Sequence, residues 1–300
     1  MPSASLASET CLFDEAAWRR RAAAQAWYAE GMEGGGPSEL SYYGTPGTTT
    51  DVAPYDDLID ELPPDPIGLG AVVRGVLLHN WMAGMSGVEL TPQRNGMELI
   101  GAAPIIEKVL AIDPAPLGVK RGRASRMIGF CYHFATLHCA LLRAKGVPSR
   151  TRCGFASYFD PGKWIDHWIV EYWDGERWHL HDPQVGRDDL SADDFHDGVS
   201  AWKLCRAGDA EAAVHGNGEL WGWDELRGSL VNDVGALNKV DVGGWYWCDL
   251  LKLDPRDQPH ASVDAELDGV AELAGGSMRE ISEAFDHSYA IQPPEDVVAR

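Results

Sequence analysis

Acidic residues are missing from one stretch of a chain that is otherwise full of them. Gly118 to Arg152 holds no Asp or Glu, yet it holds Lys120, Arg121, Arg123, Arg126, Arg143, Lys145, Arg150 and Arg152. The chain as a whole has 46 acidic and 25 basic residues in 300, a net charge of −21. That balance argues against nucleic acid or an anionic membrane as a whole-surface partner, since both would be repelled. The six cysteines, Cys11, Cys131, Cys139, Cys153, Cys205 and Cys248, form no Cys-x-x-Cys pair. In a chain of this length, scattered cysteines point to reduced thiols and not to a disulfide framework. No run is long and apolar enough to span a bilayer, and Met1 to Glu15 lacks the basic start and apolar stretch of a secretory signal. The expectation from these absences is a cytoplasmic protein. An internal repeat, a phosphate-binding loop and a low-complexity array are also lacking. What is present is 45% hydrophobic residues and 12 tryptophans, the composition of a folded chain with one large domain or two small ones.

The acid-free stretch leads into the segment around which the chain is organised, Gly129 to Gln184. Cys131 precedes an apolar, helix-like run from Tyr132 to Arg143, and the turn Lys145-Gly146-Val147-Pro148 follows. Three strand-like runs come next: Arg150 to Tyr158, His167 to Trp173 and Arg177 to Asp182. Asp174-Gly175 between the last two reads as a two-residue hairpin turn, which pairs Trp173 with Glu176 and sets His167 directly opposite Asp182. Opposed residues have β-carbons roughly 5 Å apart, so the carboxylate can hold one imidazole nitrogen and leave the other for a thiol. A cysteine at a helix start sits among unpaired N–H groups at the positive end of the dipole, a setting that favours a nucleophilic thiolate and can hold an oxyanion. Cys131, His167 and Asp182 are therefore read as nucleophile, base and orienter. The bland alternatives are a small core cysteine and a surface hairpin with polar ends. The basic island around Cys131 suggests an anionic substrate group, with Arg123 and Arg126 as the residues that bind it.

These residues resemble the transglutaminase-like superfamily. Gly129-Phe130-Cys131 is similar to that family's Gly-x-Cys start of the nucleophile helix, and Leu137 to Arg152 to its helix, turn and first strand. Asp166-His167-Trp168 with Glu171-Tyr172 looks like its His strand, and Trp178 to Pro183 like its Trp-x-x-x-Asp-Pro ending. The resemblance implies a Cys-His-Asp triad on a papain-like arrangement, acyl chemistry through a thioester, and no cofactor. It implies as substrate a peptide or a small amide or ester, with Trp168 beside the base as a further substrate contact. Hydrolysis is the first expectation, amide-forming acyl transfer the second, and a non-catalytic binding module the third. The family's side-chain oxyanion donor upstream of the cysteine has no assignable position; Asn80 and Trp81 are candidates.

Elsewhere, Asp14 looks like the cap of a helix over Glu15 to Ala29, and Gly31 to Pro54 reads as a loop rich in Gly, Ser, Thr and Pro. Helical periodicity continues over Gly68 to Met85, where His79 reads as a core or near-core histidine, and over Ala103 to Ile112. Ser191 to Cys205 reads as a helix capped by Ser191, Glu219 to Lys239 as another, and Glu266 to Phe285 as a weaker, acidic one. The aromatic run Trp245-Tyr246-Trp247 is core or pocket wall, and the last ten residues read as a frayed tail. Cys131, His133, His138, Cys139, Cys153, His179 and His181 could be metal ligands, but their spacing fits no compact zinc pattern. The expectation is an α+β fold. Its transglutaminase-like core over 63–190 has a nucleophile helix packed on an antiparallel sheet. An N-terminal helix and loop over 1–62 and a helical C-terminal extension over 191–300 flank that core.

Overall fold

The computed structural model describes residues 39–243 and 261–287. The helix expected over 15–29, Cys11, Cys248, the aromatic run 245–247 and the C-terminal tail lie outside the described residues.

The expected loop before Pro54 contains a short helix, α1 (Glu39–Tyr43), held by the fully buried Tyr43, whose hydroxyl donates to the Leu237 carbonyl at 2.9 Å. After α2 (Asp56–Asp60), helix α3 (Pro66–Val76) starts where Asp65 accepts from the Gly68 N–H at 2.8 Å and Pro66 fills the first turn. The single helix expected over 68–85 is in fact broken. Leu77–His79 forms strand β1, and α4 (Asn80–Met85) follows it. After α5 (Ala102–Ile112), strand β2 (Met127–Gly129) pairs in parallel with β1, setting Leu77 beside Met127 and His79 beside Gly129. A buried apolar run such as Val76-Leu77-Leu78 suits either conformation, and here a strand partner 50 residues downstream decides it.

Helix α6 (Cys131–Ala144) has no solvated face, since every residue from Tyr132 to Arg143 is buried. It packs against α3, α5 and the main sheet, and its Phe134, Leu137, Leu141 and Leu142 join Leu69, Val73, Ile105 and Ile106 in the larger core. Burial of each such side chain is worth roughly 1.5–3 kcal/mol. The sheet is built from β3 (Ser149–Ala156), β4 (Trp164–Trp173), β5 (Trp178–His181) and β6 (Phe195–Asp197). Helix α7 (Gly198–Ala207), strands β7 (His215–Asn217) and β8 (Leu220–Trp221), and helix α8 (Trp223–Leu237) follow. Helices α9 (Ala261–Ala274) and α10 (Met278–His287) pack with α7 and α8 around a second core that includes Phe155, Trp202, Leu230 and Phe285.

The C-terminal expectations change in three places. The segment 191–205 is not one helix, because Phe195–Asp197 pairs with β3 and the cap of α7 is Asp197, which accepts from the Ser200 N–H at 2.9 Å. Ser191 instead donates to Asp194 in a turn. The helix expected from Glu219 begins at Trp223, after β8, and the acidic helix expected over 266–285 is the pair α9 and α10.

The fold is α+β, with a mixed sheet where an antiparallel one was expected. Its order is β6-β3-β4-β7-β8, β5 also pairs with β4, and β4 and β7 run parallel. The far edge of β4 is therefore shared: β7 takes Trp164 and Ile165, and β5 takes Val170 to Trp173. Asp166 to Ile169 lie between those two ladders.

The hairpin register differs from the expected one. Trp173 pairs with Trp178, and Asp174 donates to the Arg177 carbonyl at 3.1 Å, so Gly175 and Glu176 are the central turn residues. Asp174 Oδ1 accepts from the N–H groups of Glu176 and Arg177, and Gly175 takes φ 111°, which no other residue type tolerates well. The turn slips by one residue and each pairing by two. Side chains alternate with period two, so all of them keep their faces.

Gly154, in the centre of β3, has no room for a side chain. A β-carbon there would stand 2.1 Å from the His196 carbonyl and 2.7 Å from the Asp197 α-carbon on β6. Gly154→Ala should destabilise the fold by about 1–3 kcal/mol, read as a lower urea midpoint with unchanged slope.

Candidate active site

β1 and β2 deliver two chain segments to one place. Because His79 is level with Gly129, the residues that follow each, Asn80-Trp81 and Phe130-Cys131, emerge side by side. Phe130 is the N-cap of α6, and its N–H donates to the His133 imidazole at 3.0 Å, while the His133 N–H returns to the Phe130 carbonyl. A β-carbon at Gly129 would meet the His133 ring at 2.9 Å, which accounts for glycine two positions before the cysteine. Cys131, a partly exposed free thiol, opens the first turn of α6, whose N–H groups have no partner within an α-helix.

His167 lies on the stretch of β4 between the two edge ladders. Its Nε2 is 2.9 Å from Asp182 Oδ2, and its ring also hydrogen-bonds the Cys131 side chain. With Nε2 committed to the carboxylate, Nδ1 is the nitrogen that faces the thiol. His167 and Asp182 are diagonal neighbours, not directly opposed, because of the shifted register. Asp182 is fully buried and well held: Oδ1 accepts from the N–H groups of Gln184 (2.7 Å) and Val185 (3.2 Å), and Oδ2 from the Tyr158 hydroxyl (2.7 Å). Burial alone would depress the His167 pKa, but the Asp182 charge, its hydrogen bond and the Cys131 side chain outweigh it and raise the ring to about 10. Burial works against ionised Asp182 too, yet the His167 charge and the four hydrogen bonds hold it down to about 2. The Phe159 ring meets the imidazole edge-on at 4.8 Å.

All this borders a cleft of about 490 Å³, lined by His79, Asn80, Trp81, Phe130, Cys131, Phe159, Asp166, His167, Trp168 and their neighbours. His79, expected in or near the core, is partly exposed on the cleft wall; its Nδ1 accepts from the Trp81 N–H, and burial followed by repulsion from His167 and His133 lowers its pKa to about 4. Trp168 is a buried part of the wall, its ring edge-on to Tyr132 at 5.5 Å. Arg123 and Arg126 do not line the cleft. Arg123 donates to Ser86 and Arg126 to the Arg121 carbonyl. Much of the basic island is internal: Arg121 binds the Asp113 and Ala115 carbonyls, Arg143 binds Thr50 and Ser149, and Arg150 and Arg152 bind carboxylates. Among the described residues, no group of three or more His, Cys, Asp and Glu is placed to hold a metal ion. Tyr158 went unrecognised in the sequence, where a tyrosine at a strand end carries no signal.

Residues 119–183 match the transglutaminase-like superfamily. This segment is a transglutaminase-like core. It contains the cysteine, histidine and aspartate that the structure brings together, and a core of this family supports cysteine-based catalysis. The solved structure named "Putative Cysteine Protease from Cytophaga hutchinsonii" is similar at 16% identity with a TM-score of 0.34, over 54% of this chain and 46% of that one. None of the curated proteins matches. In this segment the Cys131 thiol comes from a helix start, the His167 imidazole from the interval between two strand ladders, and the Asp182 carboxylate is buried.

Proposed function

We propose that the protein hydrolyses an amide or ester through a thioester on Cys131. The observation that carries this reading is the continuous hydrogen-bonded series Cys131–His167–Asp182 on the wall of a cleft. Cys131 loses its proton to His167 Nδ1, and its sulfur attacks the substrate carbonyl carbon. The oxyanion is met by N–H groups of the first turn of α6, with Asn80 and Trp81 on the same cleft as side-chain donors. The carbon–nitrogen or carbon–oxygen bond breaks, and His167 passes its proton to the leaving group. Water, deprotonated by His167, then attacks the thioester and frees Cys131. Trp81 is 61% exposed at the cleft, so water has access to the thioester, which favours hydrolysis over transfer to a sequestered amine. Asp182 orients the ring and stabilises its cation.

Mild iodoacetamide at about pH 6.5, followed by intact-protein mass spectrometry, tests the reading. A single fast adduct is expected in the wild type, absent in Cys131→Ala and slowed at least about tenfold in His167→Ala. Equal labelling of Cys131 with and without His167 would point to a binding role instead.

A further inference from the structure

The cleft has a charge pattern opposite to the one that the basic island suggests. Among the described residues that line it none is Lys or Arg; the His167 cation is matched by Asp182, and the other formal charges are Asp160 and Asp166. Asp160 is already matched by Lys163 at 3.2 Å. Asp166 is not matched: its carboxylate has no hydrogen-bond or ion-pair partner among the described residues, although burial raises its pKa to about 6 against the pull of His167. On α8, Glu225 also lacks a partner among the described residues, and burial followed by repulsion from Asp166 and Asp224 raises it to about 8. Two such carboxyl groups hold protons while the cleft is empty and ionise when a cation joins them. The rest of the wall suits an organic cation, because Trp81, Phe130 and Phe159 offer aromatic surface in the same cleft.

Resting on the hydrolytic reading above, we infer that Asp166, backed by Glu225, is the specificity site of the cleft and seats an ammonium or guanidinium group carried by the acyl part of the substrate. Asp166 immediately precedes His167 on β4 and both line the cleft, so the cation sits in the same cleft as the reacting groups. The group belongs to the acyl donor and not to an attacking amine. A carboxylate stabilises the protonated form of an amine, and the protonated form is not a nucleophile. Seating the cation also favours ionised Asp166 and Glu225, so binding releases protons near neutral pH.

Two methanethiosulfonates that differ in charge, one bearing a trimethylammonioethyl group and one a sulfonatoethyl group, test the charge of the site at Cys131 itself. The rate at Cys131 is followed by peptide mapping and divided by the rate with free cysteine. The wild type should favour the cation over the anion by at least about tenfold, and Asp166→Asn should remove most of that preference. Glu225→Gln, assayed above pH 8 where Glu225 is ionised, should reduce the preference too and serves if Asp166→Asn does not fold. A ratio unchanged by these substitutions overturns the inference. In the same proteins, the 4-nitrophenyl ester of β-alanine should acylate Cys131 faster than that of propionate, again relative to the free thiol; equal rates in the wild type overturn the assignment to the acyl donor. The disulfide-forming reagents react with any accessible thiol. Failure of the hydrolytic reading, seen as iodoacetamide labelling that ignores His167, therefore leaves the charge ratio readable.

Discussion

Asp182→Asn should slow acylation of Cys131 by an activated ester about 10³–10⁴-fold while leaving the fold intact. The hydrogen bonds around Asp182 explain so large an effect from one atom. Every group facing its carboxylate donates: Gln184 and Val185 N–H to Oδ1, the Tyr158 hydroxyl and His167 Nε2–H to Oδ2. In asparagine one of these positions becomes an NH₂. The two backbone N–H groups keep the amide oxygen at the Oδ1 position, so the NH₂ lands opposite His167. It then donates to Nε2, which moves the ring proton to Nδ1, the nitrogen that must accept the proton of the thiol. Tyr158, a rotatable hydroxyl, can adapt; the imidazole cannot.

The same substitution has a stability signature with a defined sign. Folding raises the pKa of His167 to about 10, so its contribution is full below the unfolded value of about 6.5 and is lost as pH rises through 10. Folding lowers the pKa of Asp182 to about 2, so its contribution is full above about 4 and is lost as pH falls through 2. The stability gap between wild type and Asp182→Asn should therefore be widest between about pH 4 and 6.5 and narrow on both sides, as urea titrations would show. A gap that grew steadily from pH 6.5 to 10 would contradict the pairing.

The sequence made the three chemical groups visible because their placement depends on local rules. A helix start fixes Cys131, and alternation along a hairpin fixes His167 and Asp182 on one face. The hairpin was tolerant of error: misplacing the turn by one residue changed which residues are level but not which share a face. Long-range pairing was less visible. Nothing in Leu77-Leu78-His79 announces a partner at Met127–Gly129, yet that pairing ends a helix and brings Asn80 and Trp81 to the cleft. Phe195–Asp197 was lost to the same cause, since a helical pattern covers it until β3 is there to pair with. The charge reading failed for a related reason. A basic stretch without acids looked like a site for an anion, but its acids lie far off in the chain. Arg150 meets Glu39 and Glu171, and Arg152 meets Glu171, Asp197 and Asp233. Once those pairs form, the uncompensated carboxyl group left on the cleft wall is Asp166, next in sequence to His167, which drew attention away from it.

That ion network also sets the largest expected loss of stability. Arg152 sits between β3 and its neighbours with Nε and Nη2 each 2.9 Å from the carboxylate of Asp233, Nη2 3.0 Å from Asp197 and Nη1 3.2 Å from Glu171. Asp233 is fully buried and also accepts from the Cys153 and Val199 N–H groups, so it joins α8, β3 and α7 at one point. Removing the guanidinium strands these carboxylates, and Arg152→Ala should cost about 3–5 kcal/mol, a fall in melting temperature of roughly 10 °C. The cost should depend on pH. Burial already raises the Asp233 pKa to about 6, Arg152 being the main opposing influence, and loss of Arg152 raises it further. Below about pH 5 Asp233 is protonated and needs no cation, so the variant is penalised least there. As pH rises past 6 the wild type can ionise Asp233 against Arg152 and the variant cannot, so the gap widens toward pH 8. A destabilisation that is the same at pH 5 and pH 8 would mean that Arg152 holds the sheet by packing its carbon chain rather than by its charge.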